Sequence, residues 1–176
     1  WRTAMMEPAL ADQVPYIRTF AGVSLSNPGK TVHFSHTLRG FRAMILQPDF
    51  GVHYVEPYAW GQDVFYMAYD RKDISEKDRQ HQFTGIQADP TLLDEPSRLF
   101  TPAVEDRGTL LDPVKLKVYR FIVSTTGEFG QDHGDSKPIV FSAVAEYTNQ
   151  VNAIFERDLA IRLQLIQASL VVCFFD

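Results

Sequence analysis

The spacing of apolar residues changes character three times along this chain. From Tyr16 to Asp70 apolar and polar positions alternate in short runs broken by turn residues. This predicts strands at Tyr16–Gly22, Thr31–Thr37, Gly40–Gln47, Val52–Glu56 and Val64–Tyr69. The breaks carry turn chemistry: Asn27-Pro28-Gly29, Arg39-Gly40, Pro48 to Gly51, and Pro57 to Gly61. Short strands joined by short turns make an antiparallel meander, with Phe34, Phe41, Tyr54 and Tyr66 expected in its core. Residues 1–13 show no clear period and read as a short helix or an arm. Residues 71–114 hold four prolines and many charges, with no apolar period beyond a few residues.

A different pattern begins at Lys115. Val118 to Val123 is an apolar run broken only by Arg120, the texture of a strand covered on both faces. A Gly- and Asp-containing loop follows, with Asp135 and Ser136 as candidate N-caps and Pro138 tolerable in a first helical turn. Val140, Val144, Tyr147, Val151, Ile154 and Phe155 then recur every three or four residues, one stripe of a helix. From Leu159 to Ile166 the period returns to that of a strand. A strand, a helix and a second strand predict a right-handed βαβ crossover with parallel strands. The fold class is therefore α+β. It comprises an antiparallel β module over 14–70, a linker over 71–114 and a βαβ segment over 115–176.

Composition narrows the function. A chain of 176 residues with 45% hydrophobic residues can bury a real core. A net charge of −5 without a Lys/Arg cluster argues against nucleic acid or an anionic membrane as partner. No apolar run approaches the roughly 20 residues that span a bilayer. The single cysteine, Cys173, excludes an internal disulfide and lies in the apolar run Leu170–Phe175, where it reads as a small core residue. The chain opens at Trp1 without a start Met, so an upstream segment is expected to have been removed or left out.

Candidate chemistry is sparse. The histidines are His33, His36, His53, His81 and His133. His33 and His36 lie three apart on a predicted strand, so they face opposite sides and cannot share an ion. His81 falls in the linker and His133 in a polar loop. Glu128, Asp132 and Asp135 cluster in that loop, where capping and solvation explain them better than acid–base work. There is no Gly-x-Ser-x-Gly elbow, no phosphate-cradling loop and no Cys-x-x-Cys pair. No residue is assigned a catalytic, metal-binding or cofactor-binding role.

The wording of two regions adds what the pattern alone lacks. Thr125-Thr126-Gly127-Glu128 after the first strand, then Val151, Asn152, Ile154, Phe155 and Glu156 on the helix, then Leu165-Ile166, resemble the opening of the catalytic domain in bacterial reprolysin-like zinc metalloproteases, a branch of the metzincins. Ile17 to Gly22, Gly40 to Leu46 and Tyr54 to Tyr58 resemble the propeptide that precedes that domain. The resemblance implies a precursor in which the β module is propeptide and the βαβ unit starts a metzincin-type α/β catalytic domain. It implies a secreted endopeptidase holding zinc on His-Glu-x-x-His-x-x-Gly-x-x-His, a motif this sequence lacks. Zinc is thus expected in the full-length enzyme and not on this chain. A latency cysteine of the animal type is also missing from the propeptide-like region. Arg107 and Gly108, and Arg98, are candidate processing points, with an ordinary interdomain linker as the equal alternative.

Both strands of the βαβ unit are apolar enough to require cover on two faces, and isolated two-stranded sheets are marginal in water. The missing cover is expected from the remainder of the catalytic domain, from the β module, or from another copy of the chain. A reading of a different class is a non-catalytic interaction module that presents Tyr54, Tyr58, Trp60 and Phe65 to a partner.

Overall fold

The computed structural model describes residues 1–59, 64–75, 115–134 and 136–170. Five strands, β1 (Arg18–Val23), β2 (Thr31–Thr37), β3 (Gly40–Leu46), β4 (Val52–Pro57) and β5 (Tyr66–Asp70), form an antiparallel sheet in sequential order. A second sheet pairs β6 (Lys117–Phe121) with β7 (Ile161–Leu165) in parallel, from Lys117 opposite Ile161 to Phe121 opposite Leu165. Three helices complete the fold: α1 (Pro8–Gln13), α2 (Gly127–His133) and α3 (Lys137–Leu159). The predicted α+β class, the meander and the parallel βαβ unit are all present. Trp1–Arg71 and Lys115–Asp176 form one compact unit, and Lys72–Val114 a second. Cys173, Trp60, His81, Asp135 and the processing points Arg98, Arg107 and Gly108 lie outside the described residues.

Helix α3 lies against one face of the five-stranded sheet and against the two-stranded sheet as well. Alternation along the strands decides which face it meets. His33, Ser35 and Thr37 of β2 and Met44 and Leu46 of β3 are buried beneath it, and Thr19 and Ala21 of β1 are buried on the same face. A helix packed on two sides cannot keep a single apolar stripe. Ser142, Glu146, Thr148, Asn149 and Asn152 are all buried, whereas Tyr147 and Val151 of the predicted stripe stand out in solvent. Ser136 is the N-cap, without a side-chain cap bond, and Ala160 ends the helix in the left-handed region at φ 52°. Leu159, expected in the last strand, therefore belongs to the helix.

The loop after β6 contains a helix that its Gly and Asp content concealed. Thr126 caps α2 by accepting a bond from the Phe129 N–H, and Gly134 closes it. At Gly134 φ is 151°, and a Cβ would lie 2.3 Å from Ile139 Cγ2, so the sharp turn into α3 needs glycine.

The expected aromatic core is absent from the buried set. Phe20, Phe34, Phe41 and Tyr66 instead form a ladder on the face of the sheet opposite α3, with ring centroids 5.0–6.2 Å apart. Tyr54 is half-buried on the helix side, against Tyr69 at 5.5 Å.

Part of the main core comes from residues that show no period: Met5, Met6 and Leu10. Met5, Met6, Leu10, Val14 and Ile17 pack with Val140, Phe141, Val144, Ala145 and Leu165. The amino-terminal arm reaches them by adding to two sheet edges in succession. Arg2 bridges Phe20 of β1 in antiparallel fashion, with the Thr3 N–H donating to the Thr19 carbonyl at 2.9 Å. Met6 then bridges Leu165 of β7 in parallel, with Leu165 N–H to Met5 O at 2.7 Å and Glu7 N–H to Leu165 O at 2.9 Å.

Candidate functional site

The surfaces with functional potential are the seam between α3 and the five-stranded sheet, and the open side of the βαβ unit. The seam holds a polar cluster that the periodicity gave no sign of. Glu146, 1% exposed, accepts a hydrogen bond from Thr37 Oγ1, and its other carboxylate oxygen lies 3.3 Å from Arg39 Nε and 3.2 Å from Arg42 Nε. Arg42 also reaches Glu56 of β4, and Glu56 accepts from the Tyr69 hydroxyl of β5. Four strands, one turn and the helix therefore meet through one polar network. Burial pushes the Glu146 carboxyl up, against the opposing pull of Arg39, Thr37 and Arg42. Burial likewise pushes Arg39 down and Tyr69 up, the latter helped by Glu56.

The open side of the unit is apolar. Val118 and Tyr119 of β6 are 52% and 50% exposed, and Leu116 and Ile122 flank them in the same state. A groove of about 370 Å³ runs beside the strand, lined by Phe121, Val123, Phe129, Tyr147, Val151 and Leu163 among others. The exposed Tyr147 and Val151 thus lie beside a strand whose side chains are mostly exposed.

The histidines fall apart as a set. His33 is buried under α3, and His36 is exposed on the opposite face, as their spacing predicts. His53 pairs with Asp70 at 3.0 Å. His133, expected in a polar loop, ends α2 with both ring nitrogens engaged, Nδ1 3.0 Å from the Phe129 carbonyl and Nε2 2.9 Å from the Tyr147 hydroxyl. Glu128 sits in the first turn of α2, where hydrogen bonds to its own backbone N–H and to Thr126 hold its carboxyl below the usual range. That is the capping role foreseen for it. Among the described residues no three His, Cys, Asp or Glu side chains converge as metal ligands. A zinc ion does not fit the described residues.

The residues that carry the family resemblance have structural work, and each piece is visible. Asn152 is 1% exposed and serves the backbone of β7 twice: its Nδ2 donates to the Leu163 carbonyl at 2.8 Å, and its Oδ1 accepts from the Leu163 N–H at 2.7 Å. Glu156, one turn on, takes Arg162 bidentately at 2.7 and 2.8 Å. Together they fix the register of β7 against the helix that precedes it. Replacing Asn152 with Leu strands a buried N–H and a buried C=O, a cost of about 2–4 kcal/mol. Chemical denaturation will read this as a lower midpoint at unchanged slope.

Comparison with known proteins agrees with this part of the fold. The model of metallo-peptidase family M12B, reprolysin-like, matches residues 115–175, about a third of the chain. No curated protein and no solved structure matches the chain. No helix among the described residues is long and apolar enough to cross a membrane. The stretch that matches holds the parallel strands, the long helix and the Asn152 and Glu156 anchors, so this segment of the chain is similar to a reprolysin-like metallopeptidase.

Proposed function

We propose that this chain is the propeptide and opening catalytic segment of a secreted zinc metalloendopeptidase, and that by itself it serves as latency and folding module and as scaffold. The observation that carries the reading is the seat of the β module: α3 of the reprolysin-like segment is buried against β2 and β3, while β6 and its groove remain open. A propeptide that templates the first part of a domain needs such a contact. A domain still to be completed leaves such a face. The rest of the catalytic domain would cover β6 and supply the zinc ligands. In the complete enzyme the metal would act as a Lewis acid toward the peptide carbonyl and its attacking water. The linker would be cut near Arg107 and Gly108 to separate the modules.

Two measurements test this. The coding sequence beyond Asp176 is expected to contain a His-Glu-x-x-His helix within about the next hundred residues, and its absence there overturns the reading. The purified chain is expected neither to cleave denatured protein nor to retain stoichiometric zinc after dialysis. Chelator-sensitive proteolysis by this chain alone would contradict the assignment of its role.

The alternative, a non-catalytic interaction module, draws support from Tyr58 and Phe65. Both are well exposed and are tied together across the β4–β5 end by the Tyr58 N–H to the Phe65 carbonyl at 2.9 Å. Of the other residues proposed for that surface, Tyr54 turns toward the helix side.

A further inference from the structure

A strand at the edge of a sheet presents main-chain groups that another strand can take. Two sheet edges here are closed by the amino-terminal arm. At β1 the Ala21 N–H donates to the Trp1 carbonyl and the Thr3 N–H to the Thr19 carbonyl, both at 2.9 Å. At β7 the arm takes the N–H and C=O of Leu165 through Met5 and Glu7. The outer edge of β6 belongs, in the proposed function, to the rest of the catalytic domain, and that strand carries Lys117 and Arg120. There remains β5, whose neighbour among the described strands is β4 alone.

The parity of β5 fixes which groups it offers. The Tyr58 N–H donates to the Phe65 carbonyl at 2.9 Å, and bonded and unbonded pairs alternate along an antiparallel ladder. Met67 opposite Glu56 and Tyr69 opposite Tyr54 therefore bond to β4, whereas Tyr66 and Ala68 turn their N–H and C=O groups outward. Pro57, which has no N–H to give, stands opposite Tyr66, as this parity requires. The side chains do nothing to blunt the edge. Val64, Phe65, Tyr66 and Met67 are all exposed, with Tyr58 exposed at the same end. From Val64 to Tyr69 the sequence has no charge and no proline, the residues that usually protect an open edge.

We propose that β5 is the docking edge for a second copy of this chain, the two β5 strands pairing antiparallel about a two-fold axis at Met67. An antiparallel strand paired with itself is self-complementary, so the contact closes at two copies. With the axis at Met67, Tyr66 of each copy faces Ala68 of the other, and each such pair exchanges its outward main-chain bonds. Asp70, three residues from the axis in each copy, ends up about 20 Å from its counterpart. A parallel pairing would set the two carboxylates side by side. The two five-stranded sheets become one. A seam this short buries less than the roughly 1,200 Å² of a standard interface, which makes the dimer reversible and dependent on concentration. The pairing stands whether or not a zinc helix lies downstream, so it and the proposed function fail separately.

Sedimentation velocity of the intact chain over a wide range of concentration tests the proposal. The parent is expected to pass from monomer to dimer as concentration rises. Met67→Lys and Met67→Glu each set like charges opposite one another at the axis, where an unbonded pair brings side chains closest. Each variant alone is expected to self-associate at least about fivefold more weakly, and an equimolar mixture of the two should restore the dimer. A parent that stays monomeric, variants that self-associate as the parent does, or a mixture no better than either variant overturns the proposal. Should the variants fail to fold, hydrogen exchange of the Tyr66 and Ala68 amides in the unmodified chain decides. These amides are expected to gain protection as concentration rises, and protection independent of concentration is equally fatal to the second copy as occupant.

Discussion

Replacing Glu146 with Ala is expected to cost about 3–5 kcal/mol of folding stability, because removing the whole carboxyl group from a buried ion cluster leaves the arginines and the Thr37 hydroxyl without the acceptor they share. Arg39 is as deeply buried as Glu146, and among the described residues Arg42 keeps only Glu56 as a counter-charge. The opposite change is more telling. The two arginine contacts are ion pairs at 3.2–3.3 Å whose Nε and Oε2 atoms lack hydrogen-bond geometry. The raised Glu146 pKa says that they do not fully offset the loss of water. Converting Glu146, Arg39 and Arg42 together to Leu, Met and Met should therefore recover most of the single-variant loss. Urea titration of the three proteins measures both effects. A single variant within about 1 kcal/mol of the parent would mean that the cluster is already relaxed or hydrated. Because the folded pKa of Glu146 is raised, the ionised carboxylate loses stability as pH climbs through its ordinary value. The parent should gain from mild acid at this position, and Glu146→Gln should remove that gain.

How much of this was legible in the sequence depends on what each residue is asked to do. The strands were legible because one face of each meets protein and the other does not, which is what alternation records. All five observed meander strands start within two residues of their predicted starts, and the β6–α3–β7 order follows from two changes of period. The buried face of α3 was misread for a physical reason. A helix that meets a sheet on each side buries positions nearly all round, and small or paired polar residues fill the places where backbones come close. Ser142, Asn149 and Asn152 look solvent-facing on a helical wheel, yet each bonds a backbone carbonyl, those of Pro138, Phe34 and Leu163. Glu146 offered one signal: an acid directly after the mostly apolar run Val140–Ala145, with two arginines on the strand and turn that would face it. The aromatic residues misled in the other direction. Phe34 and Phe41, expected in the core of the meander, stack on the outer face of the sheet instead.

Removing Trp1–Gln13 is expected to abolish cooperative folding, although nothing in the apolar period of these residues marks them as essential. The deletion takes Met5, Met6 and Leu10 out of a core shared with Val140, Phe141, Val144 and Leu165. Truncating one such buried side chain costs about 2–5 kcal/mol, and a whole domain has about 5–15 kcal/mol to lose. The same deletion strips the outer edge of β7, leaving the Leu165 N–H and C=O without their partners at Met5 and Glu7. Two point variants separate packing from pairing. Leu10→Ala removes core contact alone and should cost about 2–5 kcal/mol. Glu7→Pro removes the N–H that donates to Leu165 while respecting the local backbone, since φ at Glu7 is −59°. That loss should be about 1–3 kcal/mol, the cost of a buried acceptor left unmade. The mostly exposed pair with Arg120 adds little to it. Differential scanning calorimetry of the truncated chain gives the decisive reading. A sharp transition close to that of the full chain would show that β7 and the helix core stand without the arm. A broad or absent one would show that the first thirteen residues are the tie that holds β7 and α3 in one core.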